Sequence, residues 1–224
     1  MSTKIGIIAE GSIDHTLLPP LLSQIARQKA NFDWPLDAED VAEPLLFIRK
    51  RGDGGVLETV RKLVKVLDKS DLDHAFFVIV LDRKTPDVQR KVRRLIRGKG
   101  RFVLGIAIEE IEAWWLGDRT NTLAWLGLKG KLPADSRYGQ RRYKAEKDGN
   151  PKKTLNELTE LSDECDRCYG RGSTELAMGF VENYWQINAN LGEIAGQCPR
   201  GFGKFQDDTM HCFSQARTKA GRLF

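Results

Sequence analysis

Four apolar runs constrain this 224-residue chain more than anything else in it: KIGIIAE over 4–10, LLFI over 45–48, AFFVIVLD over 75–82 and FVLGIAI over 102–108. Each is apolar along its length instead of alternating, the pattern of strands buried on both faces. Apolar residues at helical spacing follow the first run (Ile13, Leu17, Leu18, Leu21, Leu22, Ile25) and the second (Val56, Val60, Leu63, Val64, Leu67). A basic amphipathic helix over about 86–96 follows the third. Strands alternating with helices predict an α/β fold with an open, mostly parallel sheet over roughly the first 110 residues.

From Glu109 onward the pattern turns helical, with candidate helices over 111–116, 120–126, 153–161 and 175–187. The basic segment 129–151, with its Gly and Asp residues, reads as a long loop, mobile when no ligand is bound. The expected organisation is a core over 1–118 and a helical C-terminal elaboration over 119–224, packed as one compact unit. No apolar stretch approaches the roughly 20 residues of a membrane span. The polar start MSTK lacks a signal-peptide plan, so a cytoplasmic protein is expected.

Lys and Arg number 36 against 31 Asp and Glu, a net charge of +5 that is unevenly spread. Arg83, Lys84, Arg90, Lys91, Arg93, Arg94, Arg97, Lys99 and Arg101 face a single acid, Asp87, within 83–101. Clustering of this kind is the electrostatic footprint of a polyanion partner, here DNA or RNA. Cys165 and Cys168 have zinc-type spacing, but Cys198, His211 and Cys212 do not supply a regular second half, so free thiols are expected.

In an open parallel sheet, ligands bind in the crevice outside the carboxyl ends of the strands. Glu10 closes the first run, Asp82 the third, and Glu109, Glu110 and Glu112 follow the fourth. The second run ends in Lys50, Arg51, Gly52 and Asp53. Converging carboxylates repel and are costly to desolvate, so they call for a divalent cation or for Lys and Arg partners. Hard oxygen ligands suit Mg2+ or Mn2+. Glu109 and Glu112, three residues apart, are expected on one helix face, with Glu110 toward solvent. The chain contains no G-x-x-x-x-G-K-[ST], no G-x-G-x-x-G after the first strand and no G-x-S-x-G, which leaves chemistry by acid and metal. Trp114, Trp115 and Trp125 read as core.

Glu10-Gly11 after the first strand, Asp14 one turn on, Leu81-Asp82 at the end of the third strand and the acids after the fourth together resemble the TOPRIM fold, shared with the OLD-family nucleases. IEAWWLGD over 111–118 is similar to the Glu-Ala-Trp signature of a bacterial TOPRIM-like family, some of whose members lie beside phage-defence ATPases. CPRGFGKF over 198–205 and Pro151-Lys152-Lys153 also look like that family's C-terminal half.

The resemblance implies divalent-metal phosphodiester chemistry. Glu10 would then be the acid/base, Asp14 and Asp82 metal ligands, with Glu109 and Glu112 completing the set. Lys84 stands where the family's second aspartate would be, which implies one metal, with Lys84 stabilising developing negative charge. Lys50, Arg51, Arg83, Arg90, Arg93, Arg94, Arg97, Lys152, Lys153 and Arg171 are the expected contacts to nucleic acid. An ATPase subunit and a second copy of the chain are the candidate protein partners, and anti-phage defence the candidate setting. Two rival expectations stand beside the nuclease: a catalytically silent nucleic-acid-binding or regulatory subunit, and a small-nucleotide phosphatase.

Overall fold

A computed structural model describes residues 4–9, 11–30, 45–49, 53–67, 74–82, 86–165 and 169–220. Strands β1 (Lys4–Ala9), β2 (Leu45–Arg49), β3 (His74–Asp82) and β4 (Phe102–Ala107) form one parallel sheet in the order β2-β1-β3-β4. All four coincide with the apolar runs to within a residue or two. The first three helices are α1 (Ser12–Ala30), α2 (Asp53–Leu67) and α3 (Pro86–Ile96).

The strand order fixes which helix covers which face. After β1 the chain moves outward to β2, then crosses back over β1 to β3, so right-handed crossovers put α1 and α2 on opposite faces. The next step, to β4, continues in the second direction and places α3 beside α2. The buried clusters agree. Ile8, Phe77, Ile79 and Leu81 pack with Val56 and Val60 of α2 and Val92 of α3. Ile5, Ile7, Phe76, Val78 and Val80 pack with Leu17, Leu18, Leu21 and Leu22 of α1. β4 lies at the edge and departs from full burial: Val103, Gly105 and Ala107 are buried, while Phe102, Leu104 and Ile106 are only partly covered.

The remaining helices are α4 (Glu112–Gly117), α5 (Arg119–Trp125), α6 (Pro151–Glu160), α7 (Tyr169–Phe180), α8 (Gln186–Asn188), α9 (Leu191–Gln197) and α10 (Lys204–Ala220). π-helical turns at Val181–Trp185 and Pro199–Gly203 precede α8 and α10. Sequence periodicity missed α9 and α10, whose apolar positions are few. The α1-side core runs on into these helices: Trp114 stacks on Phe205, Trp115 on Phe180, and Phe76 meets Phe213 edge-on. Trp114 and Trp115 are fully buried, as expected of core residues.

The segment 129–151 is fastened, against the expectation of a mobile loop. Tyr138 Oη donates to the Leu116 carbonyl at 2.8 Å. Buried Asp148 accepts from Tyr143 Oη at 2.8 Å, Thr154 Oγ1 at 2.5 Å and Asn150 N at 3.1 Å. Buried Glu146 accepts the backbone N–H groups of Arg200 and Gly201 at 2.8 and 2.6 Å, clasping the Pro199–Gly203 turn. There a Cβ on Gly201 would stand 2.9 Å from the Ile106 carbonyl oxygen and 3.3 Å from Trp114 Nε1. Backbone on one side and a packed indole on the other leave little room to yield, so Gly201→Ala is expected to cost about 1 to 3 kcal/mol. Urea denaturation measures it; an unchanged midpoint would show that the turn shifts freely.

Candidate functional site

The crevice at a change of strand direction is where open α/β sheets bind ligands, and here it lies between β1 and β3. Asp82 ends β3, and its carbonyl accepts from Gln89 Nε2 at 2.8 Å, which ties the start of α3 to the strand end. Asp14, in the first turn of α1, accepts from the Gly11 backbone N–H at 2.8 Å. That bond closes the turn after β1 like the return half of a capping box. Asp14 therefore has a structural duty beside any role in a site.

Beyond β4 the chain turns through Glu109, whose φ is 71°. A left-handed residue other than Gly, Asn or Asp is uncommon and persists where its surroundings hold it. The turn interrupts the β alternation, and the helix begins only at Glu112. Helical spacing therefore does not relate Glu109 to Glu112, and the expectation that they share a helix face is corrected. Glu110, expected toward solvent, is also corrected: it is 9% exposed and Glu112 is 2% exposed.

The two buried glutamates meet a cation from the C-terminal half. Lys152 Nζ stands 3.2 Å from Glu110 Oε1 and 3.7 Å from Glu112 Oε1. Tyr169, at the start of α7, donates its hydroxyl to Glu112 Oε1 at 2.6 Å. Its ring lies edge-on to Trp115. Lys152 reaches the acids because α6 starts beside α4: Asn150 caps the helix by accepting from Lys153 N at 3.1 Å, and Pro151 is buried as its first residue. The expected phosphate contact Lys152 is thus an acid partner in this structure. Tyr169 carried no sequence signal.

Electrostatics show that these groups act on one another. Burial, then the neighbouring Asp14 and Glu112, push the Asp82 carboxyl up to about 7; Lys152 pulls it back and Glu110 adds to the rise. Burial likewise raises Glu112, opposed by Lys152 and the Tyr169 hydroxyl. Partial burial lowers the Lys152 ammonium, but Glu112 and Glu110 more than reverse it and its pKa stands above the ordinary lysine value. Carboxylates from three chain segments thus feel one another's charge, and among the described residues Lys152 contacts two of them, Glu110 and Glu112.

Not every expected residue can be placed. Glu10, Lys50, Arg51, Arg83 and Lys84 lie outside the described residues, as does the side chain of Arg171 within α7. Arg90, Arg93, Arg94 and Arg97 are exposed on or just after α3, with Arg90 paired to Asp87. Lys153 is exposed and pairs with Glu157 at 3.5 Å. Cys198 and Cys212 are free thiols, Cys198 buried against the Ala113 carbonyl at 3.3 Å; Cys165 is half-buried and Cys168 lies outside the described residues. Among the described residues, no three His, Cys, Asp or Glu side chains form a ready-made metal cage. No described helix is long and apolar enough to cross a membrane.

No family model, curated protein or solved structure matches this chain. The site's own geometry therefore carries the functional argument.

Proposed function

We propose that the chain is a Mg2+- or Mn2+-dependent nuclease of TOPRIM type, hydrolysing a phosphodiester bond in DNA or RNA, with anti-phage defence as its setting. The observation that supports this best is the meeting of buried Glu110 and Glu112 at Lys152 beside Asp82, whose carboxyl is pushed up to about 7 by burial first and then by Asp14 and Glu112. The donor set fits a hard divalent ion, since every candidate ligand is a carboxylate oxygen. Mg2+ takes only one or two protein carboxylates beside water and substrate phosphate, so a partial protein cage suffices. Asp82, Glu110 and Glu112 would hold the cation, with Asp14 beside them. When bound, it supplies Lewis acidity at a phosphoryl oxygen. Glu10 keeps the acid/base role implied by the resemblance. The exposed cations of α3, from Arg90 onward, would hold the polymer's phosphates, fixing its position without reading its sequence.

A second reading has its own observation. Lys152 already neutralises part of the acid cluster, which suits a metal-free, catalytically silent subunit that binds nucleic acid beside a partner ATPase. One experiment separates the two. End-labelled single- and double-stranded DNA and tRNA are incubated with the protein in Mg2+, Mn2+ or EDTA, alongside Glu10→Gln and Asp82→Asn. Metal-dependent cutting reduced at least roughly 100-fold in both variants is expected, by analogy with the loss of one catalytic group. Equal, salt-sensitive binding without cutting would establish the silent subunit.

A further inference from the structure

We infer that Lys152 is an exchangeable counter-ion, which occupies the acid cluster in the metal-free protein and must leave it for a divalent cation to bind. The inference rests on the metal-dependent reading above. Lys152 Nζ lies against Oε1 of both Glu110 and Glu112. Were those oxygens to enter the inner coordination sphere of a metal while keeping the ammonium in contact, two cations would stand within a few ångströms. In a partly desolvated site that repulsion is large.

The contact is built to be reversible. The Lys152 side chain is 51% exposed, whereas that of Glu112 is 3% exposed. The Glu110 side chain is 12% exposed, so of the three groups the lysine is by far the most open to water. Its backbone is held by the Asn150 cap and by the burial of Pro151, Thr154 and Leu155, so the exchange needs a rotamer change alone. Glu112 keeps its place throughout, because the buried Tyr169 hydroxyl also donates to its carboxylate. The cluster thus stays neutralised and closed to metal until the divalent cation outcompetes an ammonium tethered beside it. The same contact that suits a silent subunit then becomes the resting state of an enzyme.

The test is a Mn2+ titration at pH 8, followed by the electron paramagnetic resonance signal of the free ion, on wild type, Lys152→Met and Lys152→Arg, with melting curves in EDTA and in Mn2+. Lys152→Met keeps the apolar stem and loses the charge. It is expected to bind Mn2+ about tenfold tighter than wild type, to melt lower in EDTA and to recover in Mn2+, while Lys152→Arg binds like wild type. A merely structural lysine predicts the opposite sign, because a loosened cluster binds metal more weakly. Equal or weaker binding by Lys152→Met therefore overturns the inference and leaves the metal-dependent reading standing. Absence of Mn2+ binding by wild type sinks that reading and the inference with it. Lys152→Gln serves the same comparison should the methionine variant not fold.

Discussion

Replacing Asp82 with asparagine is expected to stabilise the metal-free protein at pH 8 by about 1 to 2 kcal/mol, raising its melting temperature by roughly 4 °C. The cause is that folding takes an ionised Asp82 out of water and sets it near other acids. Its carboxyl is pushed up to about 7 by burial first, then by Asp14 and Glu112, while the unfolded chain titrates near the ordinary value of about 3.9. Below pH about 4 the group is protonated in both states and its favourable contribution is fully present. As the pH rises through about 7, the folded protein must give up the proton it held more tightly, and that contribution is lost. Each tenfold gain in proton affinity on folding is worth about 1.4 kcal/mol, which sets an upper bound, and water reaching the partly exposed carboxylate reduces it to the range given. Melting curves from pH 5 to pH 8.5 in EDTA should fall for wild type and run flatter for Asp82→Asn. Added Mn2+ should lift the wild-type curve most at high pH. Parallel curves for the two proteins would show that Asp82 does not carry the strained charge.

The largest stability effect is expected at Asp118, in the same WLGD sequence that follows the glutamates. Asp118 is fully buried and accepts from Trp185 Nε1 at 2.8 Å, Asn190 N at 3.1 Å and Asn121 Nδ2 at 2.9 Å. It also caps α5 through Asn121 N. Burial raises its carboxyl, opposed by these donors. Asp118→Ala strands several donors at once, each worth about 1 to 3 kcal/mol when left unmade in the interior. The expected loss is about 3 to 5 kcal/mol, or roughly 10 °C in melting temperature. Mn2+ affinity of the folded protein should stay unchanged, since the Asp118 carboxylate is engaged by Trp185, by Asn190 at the start of α9 and by Asn121 of α5, none of which belongs to the acid cluster. A loss under about 1 kcal/mol would mean that water replaces the carboxylate. The two aspartates thus separate by measurement: removing one charge relieves the site, removing the other unpins the fold.

Within a dozen residues, then, one sequence motif serves two purposes. Glu110 and Glu112 face the site, the tryptophans fill the core, and Asp118 fastens the C-terminal helices. Composition offers no means of dividing these roles, because an acid beside tryptophans has the same local pattern whether it serves chemistry or packing.

The sheet was legible from the amino-acid order alone: four continuous apolar runs at these intervals bury both faces as neighbouring parallel strands. Local pattern suffices there because burial on both faces is written into each strand separately. Which glutamates turn inward was settled only in three dimensions, since the left-handed Glu109 breaks the alternation that would have sent Glu110 to solvent. So was the completion of the cluster by Lys152 and Tyr169, 40 and 57 residues beyond Glu112, and the grip of Glu146 on a turn 54 residues away. These partners are chosen by how α6, α7 and the Pro199–Gly203 turn pack against β4 and α4. Packing between segments distant in the chain leaves no period in the sequence to read.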